Sequence, residues 1–161
     1  MTPDRVRRVR KHLIETLRAL HATKDPSQSD FPPLPEPVGF VARVARTACA
    51  MCGGWCCKDG GEHAYLDERT MARVRPVRPE LNARAVLRLY IDRIPAASYA
   101  GSCVFHGEMG CTLDRSLRSD ICNNYYCGGL GTYVAGADVT SAVVVFSGDG
   151  DKMRKSHVVR P

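Results

Sequence analysis

The chain has 161 residues, 44% of them hydrophobic and 25% charged, with eight cysteines and a formal charge of +6. That length supports a domain whose core holds without cross-links, which argues against the disulfide scaffolds of small secreted proteins. The charge lies at one end: the first 24 residues hold seven Arg or Lys against Asp4 and Glu15, so +5 sits there and +1 downstream, a weak argument for a nucleic-acid partner.

In MTPDRVRRVRKHLIETLRAL, residues Val6, Val9, Leu13, Leu17 and Leu20 recur at three- and four-residue steps. This predicts a basic amphipathic helix over 1–24, with arginines opposite the apolar stripe and Asp4 at the positive end of the dipole. The segment has no h-region of an export signal, and the longest apolar run, 142–146, is too short for a membrane span, so the chain reads as cytoplasmic. Residues 25–40 carry prolines at 26, 32, 33, 35 and 37 and read as a Pro-rich linker. The PPLP at 32–35 has PxxP spacing, although a simple connector accounts for it.

The body, 41–146, opens with CAMCGGWCCKDGG, which packs Cys49, Cys52, Cys56 and Cys57 into nine residues. Gly53 and Gly54 suit a tight turn between ligands, with amides free to donate to sulfur. Asp67 can cap a short helix to Val74, and Pro79 can open a longer one with Leu81, Ala85, Leu89 and Ile94 on one face, ending before Pro95. In GSCVFHGEMGCTL, turn residues at 107–110 predict a hairpin with Cys103 and Cys111 on its arms. A helical turn or two follows over 116–126 with Cys122, then Cys127 before a second glycine pair, Gly128 and Gly129, and a strand over 139–146. Residues 147–161 read as a polar tail. The expected fold class is α+β: a small metal-organised cysteine-rich domain with short helices and a hairpin, plus an N-terminal amphipathic helix.

Eight thiols in two groups of four, in a reducing compartment, point to metal or iron-sulfur ligation ahead of thiol redox chemistry or incidental burial. Soft thiolates select zinc, iron-sulfur clusters or copper(I). Two all-cysteine zinc sites would use all eight. A [4Fe-4S] cluster, the favoured cluster type, would take Cys49, Cys52 and Cys56 with one later cysteine. Adjacent residues point to different sides, so Cys56 is expected to join Cys49 and Cys52 while Cys57 turns toward the later cysteines.

The pattern C-x2-C-x3-CC, followed about 45 residues on by CVF, CTL, Arg-Ser, Cys-Asn and Tyr-Tyr-Cys, resembles the bacterial-type cysteine-cluster (CxxCxxxCC) family of zinc- or iron-chelating domain proteins. The resemblance covers roughly half the chain and implies that all eight cysteines, Cys49, Cys52, Cys56, Cys57, Cys103, Cys111, Cys122 and Cys127, are metal ligands. It leaves zinc or iron open; a related cluster in bacterial enzymes that methylate flagellin lysines leans toward iron-sulfur. The chain departs from the family at Arg118-Ser119, where Arg-Pro is common, and at His106, where an apolar residue is common. His106 is read as a surface or ligand-supporting residue, with direct ligation the alternative.

Around the thiols, Trp55 is expected to shield the site, Tyr125 and Tyr126 to pack, and Arg43, Arg46, Lys58, Arg115 and Arg118 to balance thiolate charge. Glu62 and His63 can act as acid and base, but nothing in the sequence orients them. The reading is a metal-binding protein with a structural, electron-transfer or metal-handling role and a basic helix available to a protein partner. The alternatives are an iron-sulfur enzyme acting on a small substrate and a zinc-knuckle nucleic-acid binder. The chain has no G-x-G-x-x-G loop, P-loop, HExxH or nucleophile elbow, so no catalytic residue is assigned.

Overall fold

The apolar stripe of the N-terminal segment sets the architecture. In the computed structural model, which describes residues 1–22, 37–77, 81–136, 139–149 and 152–161, helix α1 spans Pro3–Ala22. Val9, Leu13, Leu17 and Leu20 on its inner face are buried. They join α3 (Glu68–Val77), α4 (Ala83–Ile91) and the loop residues Val104, Phe105, Leu113 and Leu117 in one apolar cluster. The expected 1–24 helix is therefore an integral wall of the core.

Asp67 caps α3, its Oδ1 accepting from the Thr70 amide at 2.8 Å, as the sequence suggests. Helix α4 starts later than predicted: Asn82 caps it, accepting from the Ala85 amide at 2.9 Å, while Pro79 lies outside the described residues. Its buried face is also rotated. Val86 and Tyr90, one helical turn apart, are the fully buried pair, and Leu81 and Leu89 are only partly covered. The Tyr90 ring lies 6.3 Å from that of Phe105, and its hydroxyl donates to the Leu117 carbonyl at 2.9 Å, which lets a polar atom enter the core.

A second, smaller cluster forms around α2, Gly39–Cys52. Phe40, Val44, Ala48 and Met51 fall on one face of it and meet Val143, Val145 and Val159 of the hairpin β3 (Val143–Asp149) and β4 (Lys152–Val159), together with Tyr133 of α6 (Gly128–Ala135). Neither α2 nor α6 is foreseen above. The segment 147–161, read as a polar tail, is corrected: β4 pairs antiparallel with β3, from Val143 opposite Val159 to Asp149 opposite Lys152. Only one face of this two-stranded sheet packs, so β4 needs little more than Val159 inside, and its polar composition hides a strand. Residues 25–36 of the Pro-rich linker, with its PPLP, lie outside the described residues, as do 23 and 24 of the expected 1–24 helix. The linker's last residues, Gly39 and Phe40, already belong to α2.

The predicted hairpin is present but short. β1 (His106–Gly107) pairs with β2 (Gly110–Cys111), His106 opposite Cys111. Cys111 lies on an arm, and Cys103 sits in the turn before β1. Helix α5, Asp120–Asn124, carries Cys122 and is capped by the buried Ser119, whose hydroxyl accepts from the Cys122 amide at 3.2 Å. The architecture is α+β, six α-helices and two small antiparallel hairpins among the described residues, with an N-terminal helix in the core.

Candidate metal centre

The cysteines sit in the last turn of α2 and the stretch after it, around β1 and β2, in α5 and at the start of α6. Cys49 and Cys52 occupy the last turn of α2, three residues apart and hence on one helix face. Gly53 ends that helix in the left-handed conformation (φ 65°), donating its amide to the Cys49 carbonyl at 3.2 Å. The left-handed Gly54 (φ 86°) then turns the chain into a 3-10 helix, Trp55–Asp59, which holds Cys56 and Cys57. So the first two thiols come from a helix end and not from the tight turn expected. Likewise Gly128 and Gly129 open α6, and Cys127 sits at its N-cap. The Trp55 amide, next after the glycine pair, donates to Cys52 Sγ at 3.3 Å.

Cys57, Cys103 and Cys111 pack on the larger apolar cluster, whereas Cys49, Cys52 and Cys127 hang from the helices of the smaller one. Backbone bonds fasten the larger side: the Cys57 carbonyl accepts from the Cys103 amide at 2.7 Å, and the Gly61 carbonyl from Val104 at 2.8 Å. Gly60 permits this approach, because a Cβ there would lie 2.7 Å from Cys103 Cβ.

Electrostatics shows which sulfurs influence one another. Burial raises the Cys49 thiol above its ordinary value, and Cys56, Cys52 and Cys127 add to the effect while Arg115 opposes it. Cys111, Cys56 and burial together push the Cys57 thiol up, and Cys57 in turn pulls Cys56 and Cys111 down. Burial pushes Cys103 up to about 12, with Cys111 and Cys122 nearby. Burial also raises Cys122, opposed by its bond to Ser119 and by Arg118. Cys49 is thus influenced by Cys52, Cys56 and Cys127, and Cys111 is linked in the same way with Cys57, Cys103 and Cys122; Cys56 is influenced by Cys111 as well. All eight thiols are free. As the side chains stand, no three His, Cys, Asp or Glu donors among the described residues close around a common point.

The flanking residues divide differently from the expectation. Arg115 and Arg118 lie beside the sulfurs, Arg118 bonding Cys111 and donating from Nε to the Leu113 carbonyl at 2.8 Å. Arg43 instead lies over the Phe40 ring and donates to the Arg160 carbonyl at 2.7 Å. Trp55 is 64% exposed and Tyr125 54% exposed, so neither the shielding nor the packing role expected of them is met. Glu62 is held by Arg5 and Arg8 at 3.0 and 3.1 Å, a carboxylate committed to fastening α1 to the cysteine loop. His63 Nδ1 accepts from the Tyr65 amide at 3.0 Å. Tyr65 and Ala64 before it are non-glycine residues at positive φ, 55° and 52°.

His106 is buried, not a surface residue, and both ring nitrogens are engaged. A carbonyl only accepts, so Nε2 carries the proton it donates to Gly53 O at 2.8 Å; Nδ1 lies 2.6 Å from the Ser102 hydroxyl, which donates to the Cys57 carbonyl at 3.0 Å. Ser102 and Tyr99, whose ring lies 4.6 Å from that of His106 and tilted by 43°, are contributors the sequence does not signal. Among the described residues no helix is long and apolar enough to cross a membrane. No family model, curated protein or solved structure matches the chain, so the centre stands on its own geometry.

Proposed function

We propose that this chain is a metal-binding protein whose cysteine sulfurs hold zinc or an iron-sulfur cluster at the seam between two apolar clusters. One observation carries the reading: cysteine-bearing stretches far apart in sequence are fastened together there, the Cys57 carbonyl accepting from the Cys103 amide at 2.7 Å and His106, opposite Cys111, reaching the Gly53 carbonyl next to Cys52. Eight soft donors fit zinc or iron better than magnesium or calcium. The resemblance of the C-x2-C-x3-CC pattern to zinc- or iron-chelating domain proteins points the same way.

In this reading Cys49, Cys52, Cys56 and Cys127 hold one metal position, and Cys57, Cys103, Cys111 and Cys122 the other. A bound metal supplies cross-links between segments and stabilises thiolate over thiol. The chain's own residues do the rest: Arg115 and Arg118 offset anionic sulfur, the Trp55 amide bonds Cys52, and Ser119 orients the turn that carries Cys122. The role is non-catalytic and the setting the reducing cytoplasm. The outward arginines of α1 face a protein partner, a reading favoured over nucleic acid because Arg5 and Arg8 are already committed to Glu62.

The test is anaerobic purification followed by metal analysis, an acid-labile sulfide assay and a visible spectrum. Stoichiometric zinc in a colourless protein selects the zinc form; brown colour with labile sulfide selects the cluster. A folded protein that takes up neither zinc nor iron refutes the proposal.

A further inference from the structure

His106 belongs to neither sulfur set, yet it is 4% exposed and every polar atom of its ring is used. Its position links the two sides of the seam. The residue lies on β1, opposite Cys111, and its Nε2 reaches across to the Gly53 carbonyl, between Cys52 and the Cys56-Cys57 pair. The contact is close: a Cβ on Gly54 would come within 3.0 Å of Gly110 Cα and 3.2 Å of His106 Nε2. Behind the ring, the Ser102 hydroxyl fixes Nδ1 and lies 3.0 Å from the Cys57 carbonyl, and Tyr99 covers one ring face.

We propose that His106 is the positioning residue of the metal centre: it locks the Gly53-Gly54 turn onto the β1–β2 hairpin so that the α2 thiols face the hairpin thiols, without binding metal itself. The inference rests on the metal-binding reading for its purpose but on the protein alone for its geometry. Direct ligation by Nε2 would require giving up the bond to Gly53, and ligation by Nδ1 the bond to Ser102. A ring held at both nitrogens instead fixes the backbone between ligands, and loss of such a supporting contact typically weakens metal binding about 10–100-fold.

The experiment compares the full-length reduced protein with His106→Leu and His106→Gln. The glutamine amide can still donate toward Gly53 O, whereas leucine cannot. Residue-resolved amide exchange of the metal-free proteins is read first. In His106→Leu the Gly53 and Trp55 amides should exchange about tenfold faster or more, with Leu13 and Val86 unchanged, and His106→Gln should restore much of the protection. Equal exchange at Gly53 and Trp55 in all three overturns the clamp, whether or not metal binds.

Each protein is then titrated with Co2+ against a competing chelator. At saturation His106→Leu should give the wild-type sulfur-to-cobalt and d–d bands per bound ion, at about 10–100-fold weaker affinity, with partial recovery in His106→Gln. Altered bands per bound ion would make His106 a ligand and overturn the proposal, as would unchanged affinity. A wild-type protein that binds no Co2+ refutes the positioning of a metal centre along with the metal reading, while the exchange data still decide the clamp. If His106→Leu also loses protection at Val86, His106→Phe, which keeps a ring in the buried site but has no donor for Gly53 O, carries the test: faster exchange confined to the Gly53 turn supports the clamp, and wild-type exchange there overturns it.

Discussion

Gly60→Ala tests the contact that brings the Cys57 loop against Cys103. The residue is buried at φ −73°, ψ −17°, an ordinary conformation for alanine, so the substitution adds a methyl group without backbone strain. That methyl would stand 2.7 Å from Cys103 Cβ and 3.1 Å from its Sγ, where ordinary contact begins at 3.4 Å, so the two segments must part by about 0.7 Å. Overpacking of this kind costs about 1–3 kcal/mol, and the stiffer unfolded chain returns about 0.4–1 kcal/mol. A net loss of about 1–2 kcal/mol corresponds to a Tm lower by roughly 2–8 °C for a chain of this size. The assay is thermal melting of the reduced, chelator-treated protein by circular dichroism. Gly129→Ala is the control: a Cβ there meets nothing within 4 Å, so its Tm should hold or rise slightly. Gly60→Ala melting at or above wild type would refute the close approach of the loop to Cys103.

Leu13→Ala, at a fully buried site of α1, should cost about 2–5 kcal/mol in urea unfolding; a loss under about 1 kcal/mol would make α1 peripheral. Tyr90→Phe removes the buried 2.9 Å bond to Leu117 O and should cost about 0.5–1.5 kcal/mol by the same measurement, and a stabilised variant would contradict that bond. Arg8, then Arg5, hold the Glu62 carboxyl below its usual range. Its folded-state pKa is depressed, so its contribution is complete above the unfolded value near 4.3 and fades as pH falls through the folded one. The stability gap between wild type and Glu62→Gln should therefore shrink as pH drops from neutral toward about 3; a gap independent of pH refutes the pairing. In the metal-free reduced protein at neutral pH, iodoacetate should modify Cys56 before Cys57, because Cys57 is pushed up and Cys56 down. Peptide mapping that finds the opposite order would refute that proton placement.

What the sequence discloses tracks how much of each pattern is local. The α1 stripe and the Asp67 cap need only neighbours in sequence, and both are found as read. Helix α2 carries an equally regular stripe, Phe40, Val44, Ala48 and Met51, but its last turn is Cys49-Ala-Met-Cys52, and the CxxC spacing suggests a turn. A helix end serves the same purpose, since positions three apart share a face and a left-handed glycine then reverses the chain. β4 and α6 are silent for another reason: each buries little, so neither needs a strong apolar pattern, and their place is set by α2. Around the thiols the sequence names Arg115, Arg118 and Arg43 alike as charge-balancing residues, and only the fold separates Arg115 and Arg118, which act on the thiols, from Arg43, which lies over Phe40 and bonds the Arg160 carbonyl.

The adjacent cysteines gain a physical reason from the 3-10 helix that carries them. At three residues per turn, successive side chains diverge by about 120°, so a doublet at a boundary sends one group to each side. Cys57 packs on the larger apolar cluster and is pushed up by Cys111, while Cys56 is exposed and influences Cys49, on the helix that organises the smaller cluster. Yet each of the two thiols shifts the other's protonation, so the sets are coupled at this doublet. A cation drawn to one set would lower the pKa of the shared thiol and prepare the other, making binding cooperative across the seam. If the proposed metal-binding reading holds, Cys57→Ser should weaken both proposed metal positions, whereas Cys127→Ser should weaken only the one proposed to share Cys49. Equal effects of the two substitutions in a Co2+ titration would show that the doublet does not couple the sets.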